Sequence, residues 1–370
     1  MKVIKRLIKN LSNLPGWRTN RKIIVFESDD WGSIRMPSKK SYENLKKANI
    51  DINNRYNQYD TLASSEDLSA LFDVLNNVKD KNNHSAKFTA LSLVANPDFE
   101  KIKENNFCHY YYENLQQTLA RYNQADAFKL WNQGKNEGIF EPEFHGREHL
   151  NVKLWMRALR EKDEETLIAF ENELTGINRS DMKIEYQAAF DLELASDLTE
   201  QKNIIQDGLN LFKQLHNCKA SFFVPPNGPI NNQLEKIAAD NDIKYISSPK
   251  IQTEVFGGGK TKKHIRYLGK QNQHNQIYIT RNAFFEPTEA KINQVDSCLK
   301  DIETAFKFKK PAVISSHRVN YIGVHDEANR RNSLKQLKEL LQKIKNRWPE
   351  VEFMTSSELG QTIRESKHAK

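Results

Sequence analysis

Short apolar runs alternate along this chain with longer segments whose apolar positions recur at helical spacing. Residues 22–26 (KIIVF) pack β-branched and aromatic side chains together with no helical period, which predicts a short buried strand. Similar runs predict strands at 87–95, 219–224, 245–247, 277–280, 311–316 and 351–354. Between them, helical spacing predicts helices over 36–49, 65–78, 155–170, 203–215, 230–240, 291–306 and 334–344, the second carrying Leu68, Leu71, Phe72 and Leu75 on one face. Strands alternating with helices in this way argue for parallel β/α units, and about seven of them argue for a barrel. Residues 53–65 and the glycine and lysine stretch 257–263 predict loops. The latter lacks the glycine spacing and terminal Lys-Ser or Lys-Thr of a phosphate loop.

Length and composition narrow this picture. A chain of 370 residues with 38% hydrophobic content can bury one core of barrel size, and no composition break divides it. We therefore expect a single barrel domain over 21–360, with an aromatic and polar insertion at about 99–137, a basic amphipathic segment over 1–20 and a basic tail over 361–370. The insertion carries Tyr110, Tyr111, Tyr112, Tyr122 and Trp131, which suit either the wall of a sugar cleft or a small core of its own. The net charge is +8, but the bases are interleaved with acids, unlike the dense stripe of a nucleic-acid binder, so no nucleic-acid partner is expected.

Three widely spaced cysteines, Cys108, Cys218 and Cys298, argue against a disulfide framework and fit a reducing compartment. Val3, Ile4, Leu7, Ile8 and Leu11 fall at helical spacing among Lys2, Lys5, Arg6 and Lys9, without an apolar core of signal-peptide or membrane-span length. The expectation is a cytoplasmic protein whose residues 1–14 either pack on the body or touch an anionic membrane surface.

The chemistry begins where the first strand ends. Asp29 and Asp30 follow the run 22–26 directly, at the strand edge where α/β folds gather catalytic groups. Side-by-side carboxylates there can divide labour, one holding a metal and one moving protons, although Asp-Asp-Trp-Gly is also good turn chemistry. His145 and His149 are spaced to bind one ion from a helical turn or short loop, and Asp30 would complete a facial site with open positions. His317 follows another buried run directly. Three strand ends with complementary chemistry are less readily accidental than any one of them.

These residues resemble a known family. Ser28-Asp29-Asp30-Trp31-Gly32 is similar to the first motif, Thr-Phe-Asp-Asp-Gly, of the NodB-homology polysaccharide deacetylases, the fourth family of carbohydrate esterases. His145 to His149 resembles their second motif, residues 221–228 (SFFVPPNG) their third, and Ser315-Ser316-His317 the late strand that presents a catalytic histidine. The order is kept from about Ile23 to about Ser356. The resemblance implies a distorted (β/α)7 barrel, TIM-like, that removes acetyl groups from N- or O-acetylated sugars. It implies Asp29 as general base, His317 as general acid, and Asp30, His145 and His149 as ligands of one divalent ion. Zinc suits that donor set best, and cobalt or nickel also fits. Trp31, Arg147, Pro226, Asn227 and Arg318 are the expected substrate contacts. An acetylated glycan precursor of surface polysaccharide, nucleotide- or lipid-linked, is the expected partner.

The sequence also departs from the family pattern. Val224 stands where the third motif has the arginine that orients the catalytic aspartate, and Asn227 replaces an aromatic residue. Arg147 or Arg318 could supply the cation, and the sequence does not choose between them. A glycan-binding protein with a degenerate site is the alternative that these departures raise.

Overall fold

The computed structural model describes residues 12–289 and 292–368. The apolar stripe expected over the first eleven residues lies outside them. Among the described residues thirteen strands form, in chain order β1 (Ile23–Trp31), β2 (Phe88–Leu93), β3 (Ala95–Pro97), β4 (Tyr112–Asn114), β5 (Phe140–Gly146), β6 (Phe222–Phe223), β7 (Tyr245–Ser247), β8 (Ile251–Val255), β9 (Thr261–Ile265), β10 (Ile277–Ile279), β11 (Ala283–Phe284), β12 (Ala312–His317) and β13 (Glu352–Met354).

Nine of them make one parallel sheet. Its order is β10-β7-β6-β5-β2-β1-β12-β11, with β13 added beside the start of β1. From β1 to β10 each strand of this sheet neighbours the next, and β12 returns to β1, as in a barrel. The run 277–284 closes the ring, because its first end, β10, pairs with β7 and its second, β11, pairs with β12. Counted as one interrupted strand, that run brings the ring to seven positions, the (β/α)7 architecture expected from the sequence.

Helices between the strands form where polar caps meet amphipathic runs. Ser64 and Asp67 cap the helix Ser65–Asn76 reciprocally, and its Leu68, Leu71, Phe72 and Leu75 are buried. The helix Ala127–Asn136 buries Trp131 against β5, where its ring meets Phe140 edge-on, 5.4 Å between centroids. Part of the expected insertion is thus the outer layer of the barrel. None of Tyr110, Tyr111, Tyr112, Tyr122 and Trp131 lines the large cleft described below. The expected basic tail is also structured through residue 368. It continues the helix Ser356–His368, whose Leu359 and Ile363 plug the barrel interior beside Ile23 and Val25. Among the described residues no helix is long and apolar enough to cross a membrane.

Strand alternation places the chemistry. Ile23 and Val25 face the interior cluster, while Ile24 and Phe26 join the outer core beneath the helices. The same parity turns Glu27 and Asp29 inward, higher up the same strand. Ile277 and Ile279 lead likewise to Arg281, and Val313 to Ser315 and His317. The interior is therefore apolar at the N-terminal ends of the strands and ionic at their C-terminal ends.

Candidate active site

Asp29 and Asp30 are adjacent, and a regular strand would send them to opposite faces. The β1–β2 register shifts between Ser28 and Trp31, and Asp30 takes a φ of +75°. A left-handed non-glycine residue costs on the order of 1–3 kcal/mol, and such strain collects at functional sites. Here it lets both carboxylates serve one site. Gly146 performs a similar task on β5: its φ of +135° bends the chain after His145 so that His149 returns to the same point, a conformation that side-chain-bearing residues avoid.

Asp30, His145 and His149 converge, all buried, with one donor atom from each lying within 4.8 Å of the others. Asp30 Oδ1 is 3.5 Å from His145 Nε2 and 3.3 Å from His149 Nε2. His145 Nδ1–H donates to the carbonyl of Val224 at 2.7 Å, which fixes the ring and turns Nε2 toward Asp30. Arg35 holds the other oxygen of Asp30 at 2.9 Å. Burial opposes the charge on Asp30, but Arg35 and the two histidines outweigh it and keep the carboxyl ionised, well below its ordinary range. Burial and the nearby Arg35 draw His149 down to about 4, so its imidazole is neutral. One carboxylate and two imidazoles in this arrangement are a fitting donor set for a divalent ion.

Asp29 has a separate set of partners. Arg281 donates to both its oxygens, at 2.7 and 2.5 Å, and donates to Glu27 at 2.6 Å. Burial alone would raise the Asp29 pKa; Arg281 reverses this and holds it below the ordinary value. Glu27, buried one layer deeper, is pushed up, and Ser247 and Ser356 also donate to it. His317 Nε2 lies 3.7 Å from Asp29 Oδ2, and its Nδ1 faces Glu286 at 2.6 Å. Burial disfavours the charged imidazole, but Glu286, with Asp29 behind it, raises His317 to about 9. Arg55 and Asn320 donate to the second oxygen of Glu286, each at 2.8 Å.

These groups open into a cleft of about 1110 Å³. Asp29, Asp30, His145, His149 and His317 all line it. Of the expected substrate contacts, Asn227 lines it, whereas Pro226 is buried beside Gly146 and only its neighbour Pro225 reaches the wall. The other three lie elsewhere. Trp31 is 1% exposed and packs edge-on against Phe140 and Trp131, because the turn at Asp30 delivers it to the outer core. Arg147 pairs with Glu148 and Asp207 outside the cleft. Arg318 is buried on Asp60 and the carbonyl of Ser33. Neither arginine reaches Asp29.

No protein-family model matches the chain, and no curated protein does. Among solved structures, one assigned as a polysaccharide deacetylase from Mycobacterium smegmatis aligns over 95% of this chain and 94% of its own, at TM-score 0.45 and 10% identity. The alpha-amylase AmyC from Thermotoga maritima aligns over 93% and 74%, at 0.44 and 8%. BA3943 from Bacillus anthracis, described as a CE4 family pseudoenzyme, aligns over 92% and 66%, at 0.37 and 13%. Polysaccharide deacetylases are among the structures this chain resembles. At such scores and identities a likeness assigns no activity, and the functional reading rests on the chain's own residues.

Sequence reasoning missed Arg281, Glu286 and the loop 176–187. Arg281 sits three residues beyond Tyr278 on a very short strand, with no motif around it. Its one signal is parity, since Ile277, Ile279 and Arg281 share a face. The loop 176–187, which has no apolar period, brings Ile177, Met182 and Tyr186 to one wall of the cleft. The short helix Arg55–Tyr59, inside an expected loop, brings Tyr56 edge-on to His317 with 5.6 Å between ring centroids.

Proposed function

We propose that this chain is a divergent NodB-homology deacetylase, a metal-dependent hydrolase that removes acetyl groups from acetylated sugars. The observation that carries this reading is the division of labour at one cleft. Asp30, His145 and His149 converge as a donor set suited to one ion, while Asp29, clamped by Arg281, and His317, paired with Glu286, stand beside it. A divalent ion held by the triad, zinc by its donor chemistry, would polarise the acyl carbonyl and make water easier to deprotonate.

The chain's own groups account for the proton movements. Asp29, kept ionised and oriented by Arg281, accepts the proton of the attacking water. His317, kept protonated by Glu286, delivers its Nε2 proton to the leaving sugar nitrogen as the acyl bond breaks. Glu286 and Arg281 act as positioning residues. Tyr56 and the half-exposed Phe284 at the cleft offer ring faces to a pyranose, and Asn54, Asn57 and Asn178 offer hydrogen bonds to hydroxyls.

The missing third-motif arginine suggested a noncatalytic glycan binder. With Arg281 on Asp29, that departure no longer argues for a degenerate site. A nucleotide- or lipid-linked sugar, used in assembling a surface polysaccharide inside the cell, is the finer form of the proposal. Acetate release from N-acetylhexosamine oligomers tests it: Asp29→Asn and His317→Ala, both folded, should each lower turnover by about 10²-fold or more. Unchanged turnover in both variants would contradict the assignment.

A further inference from the structure

The hairpin β8–β9 stands outside the barrel and has no role in the chemistry above. Its outer face carries Ile251 and Ile265 as direct cross-strand partners, 65% and 71% exposed. Paired isoleucines in open water are costly on a sheet face and mark a surface that something covers. They are part of a larger concentration. Of the eight large apolar side chains exposed among the described residues, five lie on or beside this hairpin: Leu14, Leu194, Ile251, Phe256 and Ile265. Leu194 reaches it because the backbone of residues 194 and 195 packs directly against Gly257 in the hairpin turn. Leu14 reaches it because Lys250 Nζ donates to Ser12 Oγ at 2.9 Å and to Asn13 Oδ1 at 3.1 Å.

Charge identifies the occupant. Residues 250–270 contain six Lys or Arg and one Glu; Lys260, Lys262 and Lys263 are exposed toward the hairpin turn, with Lys263 on the same face as the isoleucines. The chain that arrives beside Lys250 adds to this. Residues 1–26 contain seven Lys or Arg and no Asp or Glu, and the first eleven repeat Val3, Ile4, Leu7, Ile8 and Leu11 at helical spacing. Exposed apolar side chains on a lysine-bearing hairpin, next to a basic amphipathic sequence, match the boundary of a bilayer rich in anionic lipid: the apolar groups enter among the acyl chains and the ammonium groups meet phosphate. We propose that the hairpin β8–β9 is the surface by which this protein sits on an anionic membrane.

The placement has a consequence for the substrate. Ser12, Ser248, Pro249 and Lys250 also line the catalytic cleft, so one side of its wall runs into the membrane-facing surface. A lipid-anchored sugar could then enter from the bilayer plane. That consequence rests on the deacetylase reading, whereas the membrane contact does not.

Flotation of the full chain with vesicles tests the contact without any turnover. Vesicles of equimolar phosphatidylglycerol and phosphatidylcholine should carry the protein, and phosphatidylcholine alone should carry far less. Added salt should weaken the binding. The pairs Ile251→Ser with Ile265→Ser, and Lys262→Glu with Lys263→Glu, should each reduce partition by about tenfold or more with an unchanged melting temperature. No flotation with anionic vesicles overturns the proposal, as does full flotation of both double variants. A wild-type dimer that the serine pair converts to monomer, with vesicle binding unaltered, would overturn it in favour of an interface between copies. Acetate release from a soluble substrate, measured separately, shows whether the deacetylase reading stands whichever way flotation falls.

Discussion

Arg281 closes two guanidinium nitrogens on the carboxylate of Asp29, at 2.7 and 2.5 Å, across 252 positions of sequence. The same side chain bonds Glu27, so a single cation serves two buried carboxylates. Its removal leaves both without their main partner. Arg281→Met should cost about 3–5 kcal/mol of folding stability, the scale for breaking a buried ion pair from one side. It should also lower kcat/KM for acetate release by about a hundredfold. Arg281→Lys keeps the charge but loses the fork, and should fall between the two. Denaturant unfolding with kinetics on the same preparations checks this; wild-type behaviour of Arg281→Met would remove Arg281 from the site.

The pH profile reports on His317. Its pKa is raised to about 9, so the proton donor is in place at neutral pH and is lost only as pH rises through about 9. Activity limited by this acid should therefore hold through neutral pH and fall on the alkaline side. Glu286→Gln takes away the carboxylate that supports the charge. Burial then acts with less opposition, and the alkaline limb should move down toward the ordinary histidine value of about 6.5. A limb that stays in place in Glu286→Gln would show that another group sets it.

Trp31 tests the boundary between site and core. It adjoins the Asp pair in sequence but packs on Phe140 and Trp131, with its Nε1–H donated to Ser28 Oγ at 3.0 Å. Trp31→Ala should cost about 3–5 kcal/mol of stability. The milder Trp31→Phe should leave KM for the sugar unchanged while lowering the melting temperature. A large rise in KM with unchanged stability would put Trp31 at the substrate instead.

Local patterns made much of the barrel legible. The buried runs at β1, β7 and β12 stand out because parallel strands covered on both faces are apolar throughout. Asp29, Asp30 and His317 were visible because each follows such a run, and His145 and His149 because of their spacing; β5 itself was not, since Glu141 and Glu143 interrupt its apolar positions. Non-local contacts were not legible. Arg281 and Glu286 act on partners distant in sequence, and neither sits in a recognisable spacing. Trp31 was misread because a single left-handed residue before it decides which face it joins. The hairpin β8–β9 read as a loop, since Gly257-Gly258-Gly259 dominates its middle while its strands are short and polar on alternate positions.

The triad should be the place where an ion is held. His145→Ala removes one ligand and leaves the others intact, and should weaken zinc binding by at least about tenfold, read by equilibrium dialysis. Val224 acts there only through its carbonyl, so Val224→Ala should leave zinc affinity unchanged while lowering stability by about 2 kcal/mol for the lost methyl groups.

The most direct test of the central claim couples metal content to acetate release on one preparation of the full chain. The wild-type chain should hold about one divalent ion, lose acetate release from N-acetylhexosamine oligomers on chelation, and regain it when zinc is restored. The Asp29→Asn variant should keep the ion and release no acetate. A wild-type chain that releases acetate equally well after complete removal of metal, or that holds a full complement of zinc and releases none from any acetylated sugar, would contradict it.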